Sequence, residues 1–96
     1  MGRKILFITT DQQRYDALGC NGGTIARTPV LDALSRAGIT FDRAHPQNVV
    51  CMPSRSTMLT GQHVSTHGVW MNGVPLPEDA PSIAADLRGA GYATAL

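Results

Sequence analysis

The chain has 96 residues, 43% hydrophobic and 16% charged, a size that allows one small domain or a piece of a larger one and excludes two domains. Eight Lys+Arg against seven Asp+Glu leave a net charge of +1, and the basic residues form no run, so there is no long-range field for gathering nucleic acid or an anionic membrane. Two cysteines, Cys20 and Cys51, build no disulfide framework of the kind that staples small secreted domains, and neither stands in a C-x-x-C pair.

In chain order, Lys4 to Thr10 is a short β-branched apolar run followed at once by the polar cluster Asp11-Gln12-Gln13-Arg14. This pattern predicts a buried parallel strand ending in a functional loop, because ligands of open α/β sheets collect at strand carboxyl ends. The run is too short for a signal-peptide core or a membrane span, so a cytoplasmic location is expected. Asn21-Gly22-Gly23 is a turn, and Thr28-Pro29 opens a helix as N-cap and first residue, with Val30, Leu31, Leu34 and Ala37 as its apolar stripe and Gly38 as its stop. A short strand is expected at Ile39-Thr40-Phe41.

After the irregular stretch His45-Pro46-Gln47-Asn48 come Val49, Val50 and Cys51. Pro53 is expected as the first residue of a helix running to Leu59 and stopped by Gly61, which puts Cys51 just before a helix N-terminus. From Gln62 to Glu78 no period is evident, and a loop of that length is more often functional than filler. Pro81 to Ala90 predicts another amphipathic helix, with Ile83, Ala84 and Leu87 inward, and Gly91 to Leu96 reads as the start of a buried strand that needs a partner to follow. Alternating strands and helices give an α/β fold with a parallel sheet.

The stretch richest in chemistry is Cys51-Met52-Pro53-Ser54-Arg55, continued to Thr60-Gly61. A helix N-terminus with a guanidinium one turn along favours an anion, either a thiolate or a bound sulfate or phosphate ester. The plainer alternative makes Cys51 an ordinary small buried residue. Asp11 and Gln12 offer hard oxygen donors for a divalent ion, or else a solvated loop. Asn72-Gly73 is either a tight turn or a contact to a bound ester. His45, His63 and His67 are candidate general acids, and more ordinarily loop residues. Cys20 reads as core.

The combination Cys51, Pro53, Ser54, Arg55, Thr60, Gly61 resembles the hallmark of the sulfatase family. At a residue usage of about one in twenty, its first four fixed positions recur by chance in roughly one window in 10⁵. The resemblance implies that a formylglycine-generating enzyme oxidises Cys51 to formylglycine, whose hydrate supplies one hydroxyl to attack the ester sulfur and a second to expel sulfate. Arg55 is implied as the stabiliser of the nucleophile and of the transferring group. Asp11, Gln12 and residue 51 are implied as metal ligands. The resemblance makes Ca²⁺ the first expectation; Gln12 stands where the family commonly has a second aspartate, which removes one negative charge and raises Mn²⁺, as in the choline-sulfatase and phosphonate monoester hydrolase branches, as the alternative. Asn72, twenty-one residues after Cys51, resembles a substrate-contacting asparagine of the latter branch, and Thr28-Pro29-Val30-Leu31-Asp32 resembles a structural T-P-N-x-D helix.

The resemblance thus identifies residues 1–96 as the N-terminal portion of a longer catalytic domain, an alkaline-phosphatase-like α/β/α sandwich with a mainly parallel sheet. The expected reaction is sulfate-ester hydrolysis on a small-molecule substrate, with phosphonate monoester or phosphodiester hydrolysis, or a non-catalytic binding module with an unmodified Cys51, as alternatives. The remainder of the domain is the expected partner, and the 96 residues alone are expected to be inactive.

Overall fold

The computed structural model describes residues 2–96, which divide into a unit of residues 5–44 and a unit of residues 45–96 joined by residues 2–4. Among the described residues there are four α-helices: α1 (Pro29–Ala37), α2 (Cys51–Thr60), α3 (Val64–His67) and α4 (Ile83–Gly89). None is long and apolar enough to cross a membrane.

In the unit of residues 5–44, two 3-10 turns, Tyr15–Ala17 and Gly19–Asn21, precede α1. Pro29 is the first residue of α1 and Thr28 its N-cap, as the sequence predicts. The Thr28 hydroxyl does not cap the helix, however. It accepts from the Gly19 N–H at 2.8 Å and donates to Asp32 Oδ1 at 2.9 Å, and Asp32 Oδ1 also accepts from the Cys20 N–H at 2.8 Å. Thr28 and Asp32 therefore tie α1 to the turn before it, which gives the Thr-Pro-x-x-Asp pattern a mechanical role. Gly19 is required there, because a Cβ would lie 2.6 Å from Asp32 Oδ2. Desolvation pushes the Asp32 carboxyl up, but the hydrogen bonds from Thr28 and Cys20 and the charge of Arg36 outweigh it and hold the group below its ordinary value.

Cys20 is exposed, not core; its part in the anchor is played by the backbone N–H. The apolar stripe of α1 is uncovered as well, with Val30 and Leu34 well over half exposed.

No strand forms among the described residues, so the sheet expected from residues 4–10, 39–41 and 92–96 is not present. Ile5, Leu6, Phe7 and Ile8 are 62–83% exposed. The physical reason is that a strand makes no hydrogen bonds within itself, so an apolar run adopts that form only beside a neighbour that completes the ladder.

The unit of residues 45–96 holds the buried residues. Helix α2 begins at Cys51, with Val50 as N-cap, so Cys51 is the first helical residue and Pro53 the third, two positions from where the sequence placed them. Proline is tolerated there because the first four helical N–H groups have no partner within the helix. At the other end Thr60 donates to the Ser56 carbonyl at 2.7 Å and accepts from the Gln62 N–H at 3.1 Å, while Gly61 takes a left-handed φ of 69°. The Thr-Gly pair of the motif is thus the C-terminal cap of α2.

The expected loop of residues 62–78 contains one turn of helix, α3, which packs on α2. Its formation rests on the His63 carbonyl, which accepts from both the Thr66 and His67 N–H groups. Helix α4 also touches α2 and lies inside the predicted range. Its Ser82 cap accepts from the Ala85 N–H at 3.1 Å.

Candidate functional site

The approach to α2 is set by Asn48, whose side chain accepts from the Val50 N–H at 2.8 Å and bends the chain into the helix. The Val50 carbonyl then accepts from the Ser54 N–H at 3.1 Å, closing the first turn. On this turn the motif splits by depth. Pro53, Ser54 and Ser56 are buried, whereas Cys51 and Arg55 are exposed. Cys51 is exposed here, where the plainer reading expected a small buried residue. The buried members build the turn, and the side chains of Cys51 and Arg55 stay outside it.

Asn72 reaches back to this turn from the far side of α3. Its Oδ1 accepts from the Met52 N–H at 3.0 Å and its Nδ2 donates to Cys51 Sγ at 3.7 Å. The Gly73 N–H donates to Met52 Sδ at 3.1 Å. Two consecutive residues, 72 and 73, are therefore clamped onto two others, 51 and 52. Asn72 satisfies one of the helix's orphan donors from a distance, which Val50 cannot do because it has no polar side chain. The expected turn at Asn72-Gly73 is present, and it carries the Asn72 amide to face Cys51.

His67 is the buried histidine of the unit, 3% exposed. Its Nδ1 accepts from the Val69 N–H at 3.1 Å, and its Nε2 lies 3.0 Å from Thr57 Oγ1 on α2. With Nδ1 accepting, the tautomer that satisfies both contacts carries its proton on Nε2 and donates to Thr57. Sequence reasoning ranked the three histidines alike; the Thr57 partner ten residues upstream carries no local signal that would have singled out His67.

Asp11 and Gln12 lie in the other unit. Gln12 has a φ of 50°, the non-glycine residue with positive φ among those described. Together Asp11 and Gln12 offer a carboxylate and an amide oxygen, hard donors suited to a divalent ion but only a part of the six to eight oxygens Ca²⁺ takes. No group of three or more His, Cys, Asp or Glu side chains among the described residues is gathered to hold a metal ion. The donor chemistry fits and the donor count is incomplete.

Comparison with known proteins covers almost the whole chain. The sulfatase family profile matches residues 3–96. An ulvan-active sulfatase of Formosa agariphila is 38% identical over 91 residues, 95% of this chain and 18% of the relative. An arylsulfatase of Clostridium perfringens is 35% identical over 96 residues, 98% of this chain and 20% of the relative. PehA of Trinickia caryophylli, a multifunctional alkaline phosphatase superfamily protein, is 34% identical over 99 residues, 98% of this chain and 19% of the relative. No solved structure matches the chain significantly. The chain spans about a fifth of the length of these curated relatives. With the motif turn, its buried scaffold and a profile match along nearly every residue, the chain belongs to the sulfatase family.

Proposed function

We propose that the chain carries the nucleophile-bearing portion of a sulfuric ester hydrolase, in which residue 51 acts after conversion of Cys51 to formylglycine. The observation that supports this most is the division of the motif turn into a buried scaffold and two exposed groups, Cys51 and Arg55. Family membership implies the alkaline-phosphatase-like fold and sulfate-ester hydrolysis. Formylglycine at position 51 supplies a hydroxyl nucleophile, which a cysteine thiol does not. In this reading Arg55, one helical turn on, lies beside the developing charge on the sulfuryl group and stabilises it. The Asn72 amide faces residue 51 and orders it, and Pro53 and Ser54 keep the turn from fraying.

A divalent cation belongs to this reading, Ca²⁺ first and Mn²⁺ second, with the Asp11 carboxylate, the Gln12 amide oxygen and residue 51 as its share of the ligands. When bound, such an ion polarises the ester oxygens. The other ligands and the sheet neighbours of residues 4–10 come, in this proposal, from the remainder of the catalytic domain, so the 96 residues alone neither turn over ester nor bind metal tightly. The formylglycine-generating enzyme is the proposed modifying partner and reads the segment from Cys51 to Arg55.

Gln12 in place of a second aspartate and the twenty-one-residue spacing from Cys51 to Asn72 favour a second reading, hydrolysis of phosphonate monoesters or phosphodiesters by the same residues. Turnover of an aryl sulfate and of a phenylphosphonate monoester by the full-length protein separates the two. A larger kcat/KM for the sulfate is expected, and a larger value for the phosphonate would replace the first reading with the second.

A further inference from the structure

Asn72 is exposed and follows the Asn-Gly turn pattern, yet its amide is aimed at Cys51 and Met52 with both ends engaged. Something must fix residue 72 against α2, since a tight turn alone sets its own shape and not its place. Three residues earlier the chain is anchored at Val69, which is fully buried and whose N–H donates to His67 Nδ1. The opposite side of the same ring donates to Thr57 on α2. The path from the middle of α2 to Asn72 therefore runs through one rigid imidazole, and the return from Gly73 to Met52 closes it at the helix start.

We propose that His67 is a positioning residue that holds the Asn72 amide against residue 51. The role rests on the reading of residue 51 as the nucleophile's position. It needs a histidine because the ring offers an acceptor at Nδ1 and a donor at Nε2 with a fixed distance between them. Asparagine reproduces only the first of these, and glutamine only the second, on a flexible stem.

The test uses the full-length protein in two forms. In protein made without the modifying enzyme, the alkylation rate of the Cys51 thiol is followed on the tryptic peptide from Ala44 to Arg55, which separates it from Cys20. In modified protein, kcat for an aryl sulfate is normalised to aldehyde content. The variants are Asn72→Ala, His67→Ala and the double substitution, with His67→Asn, His67→Gln and Thr57→Val in case His67→Ala fails to fold.

Asn72→Ala slows Cys51 alkylation, because the amide no longer donates to the reacting sulfur, and lowers kcat about tenfold to a hundredfold, the range a misplaced reacting group costs, with KM within about twofold. His67→Ala reproduces most of both losses, and the double variant is no worse than Asn72→Ala, since the two act in series. His67→Asn and His67→Gln each recover part of the loss. Losses that multiply in the double variant, or a His67→Ala protein with a lowered melting temperature but unchanged alkylation and kcat, would overturn the proposal. If the modified wild-type protein cleaves no ester, the functional reading falls, and the alkylation series by itself upholds or overturns the link between His67, Asn72 and residue 51.

Discussion

Residues 50–73 and residues 5–44 make a useful pair, because each carries chemistry-bearing side chains and only the first is held by its own packing. The α2–α3 segment buries Pro53, Ser54, Ser56, His67 and Val69 and closes its polar groups internally, from the Ser54 N–H on Val50 to the His67 ring between Thr57 and Val69. In residues 5–44 no described residue is buried, and the largest apolar side chains, Phe7, Ile8, Phe41 and Leu34, face solvent. What order exists there comes from α1, the two 3-10 turns and polar contacts, among them the anchor of Thr28 and Asp32. Helical turns with caps and a short-range clamp need no distant partner. A parallel sheet does, since its hydrogen bonds and both its faces are supplied by other segments.

Amide exchange puts the widest gap between the two regions. In the 96-residue chain the amides of residues 54–61 are expected to exchange more slowly than those of residues 5–8 by a factor of about 10³, and in the full-length protein residues 5–8 become protected as well. Equal exchange in the short chain would remove the contrast.

A smaller effect separates scaffold from chemistry within α2. Replacing exposed Arg55 by alanine in the full-length, modified enzyme is expected to lower kcat by about 10²–10³ with little change in melting temperature. Lysine at this position recovers only part of the rate, because it lacks the planar fork that meets two sulfuryl oxygens. A melting temperature that falls with the rate would make Arg55 part of the scaffold.

The scaffold itself is probed at Val69, where truncation to alanine is expected to cost about 2 kcal/mol in chemical denaturation of the full-length protein. A value within about 0.5 kcal/mol of zero, the range of surface substitutions, would mean that the α2–α3 segment is not where burial counts.

The gentlest probe addresses the polar anchor of residues 5–44. The Asp32 carboxyl is held below its ordinary value by Thr28 and Cys20 acting against desolvation. Its folded form therefore prefers the ionised state more than the unfolded chain does, so the contribution is complete at neutral pH, above the unfolded value, and is lost as pH falls through the lowered folded value. Asp32→Asn should be destabilising near neutrality, and its deficit relative to wild type should close in acid. A deficit independent of pH would assign the anchor to the Thr28 hydroxyl and not to the carboxylate's charge.

Local signals explain what the sequence disclosed. Thr28-Pro29 and Gly38 bound α1, and Gly61 stops α2, each by chemistry contained within a few residues. The start of α2 shifted from Pro53 to Cys51 because proline is acceptable at any of the first helical positions, so it marks the first turn without marking the first residue. The strands expected from β-branched runs are absent among the described residues, because a run states only that a segment is apolar, and the pairing that would make it a strand lies outside it. At the site, Cys51 and Arg55 stand together in sequence and were readable. The clamp from Asn72 crosses twenty-one positions and was not readable, since the family resemblance marked Asn72 only as an ester-contacting residue, and the Thr57–His67 link had no signature because threonine and histidine ten residues apart are common.

The central claim, that Cys51 is the precursor of the nucleophile, is tested most directly by mass spectrometry of the tryptic peptide from Ala44 to Arg55. The full-length protein is co-expressed with a formylglycine-generating enzyme, and the peptide is compared with that from cells lacking it. The account predicts an aldehyde at position 51 in the first sample, with sulfate-ester turnover rising in proportion to it. An intact Cys51 thiol after co-expression would contradict the account and leave the chain as a non-catalytic member of its family.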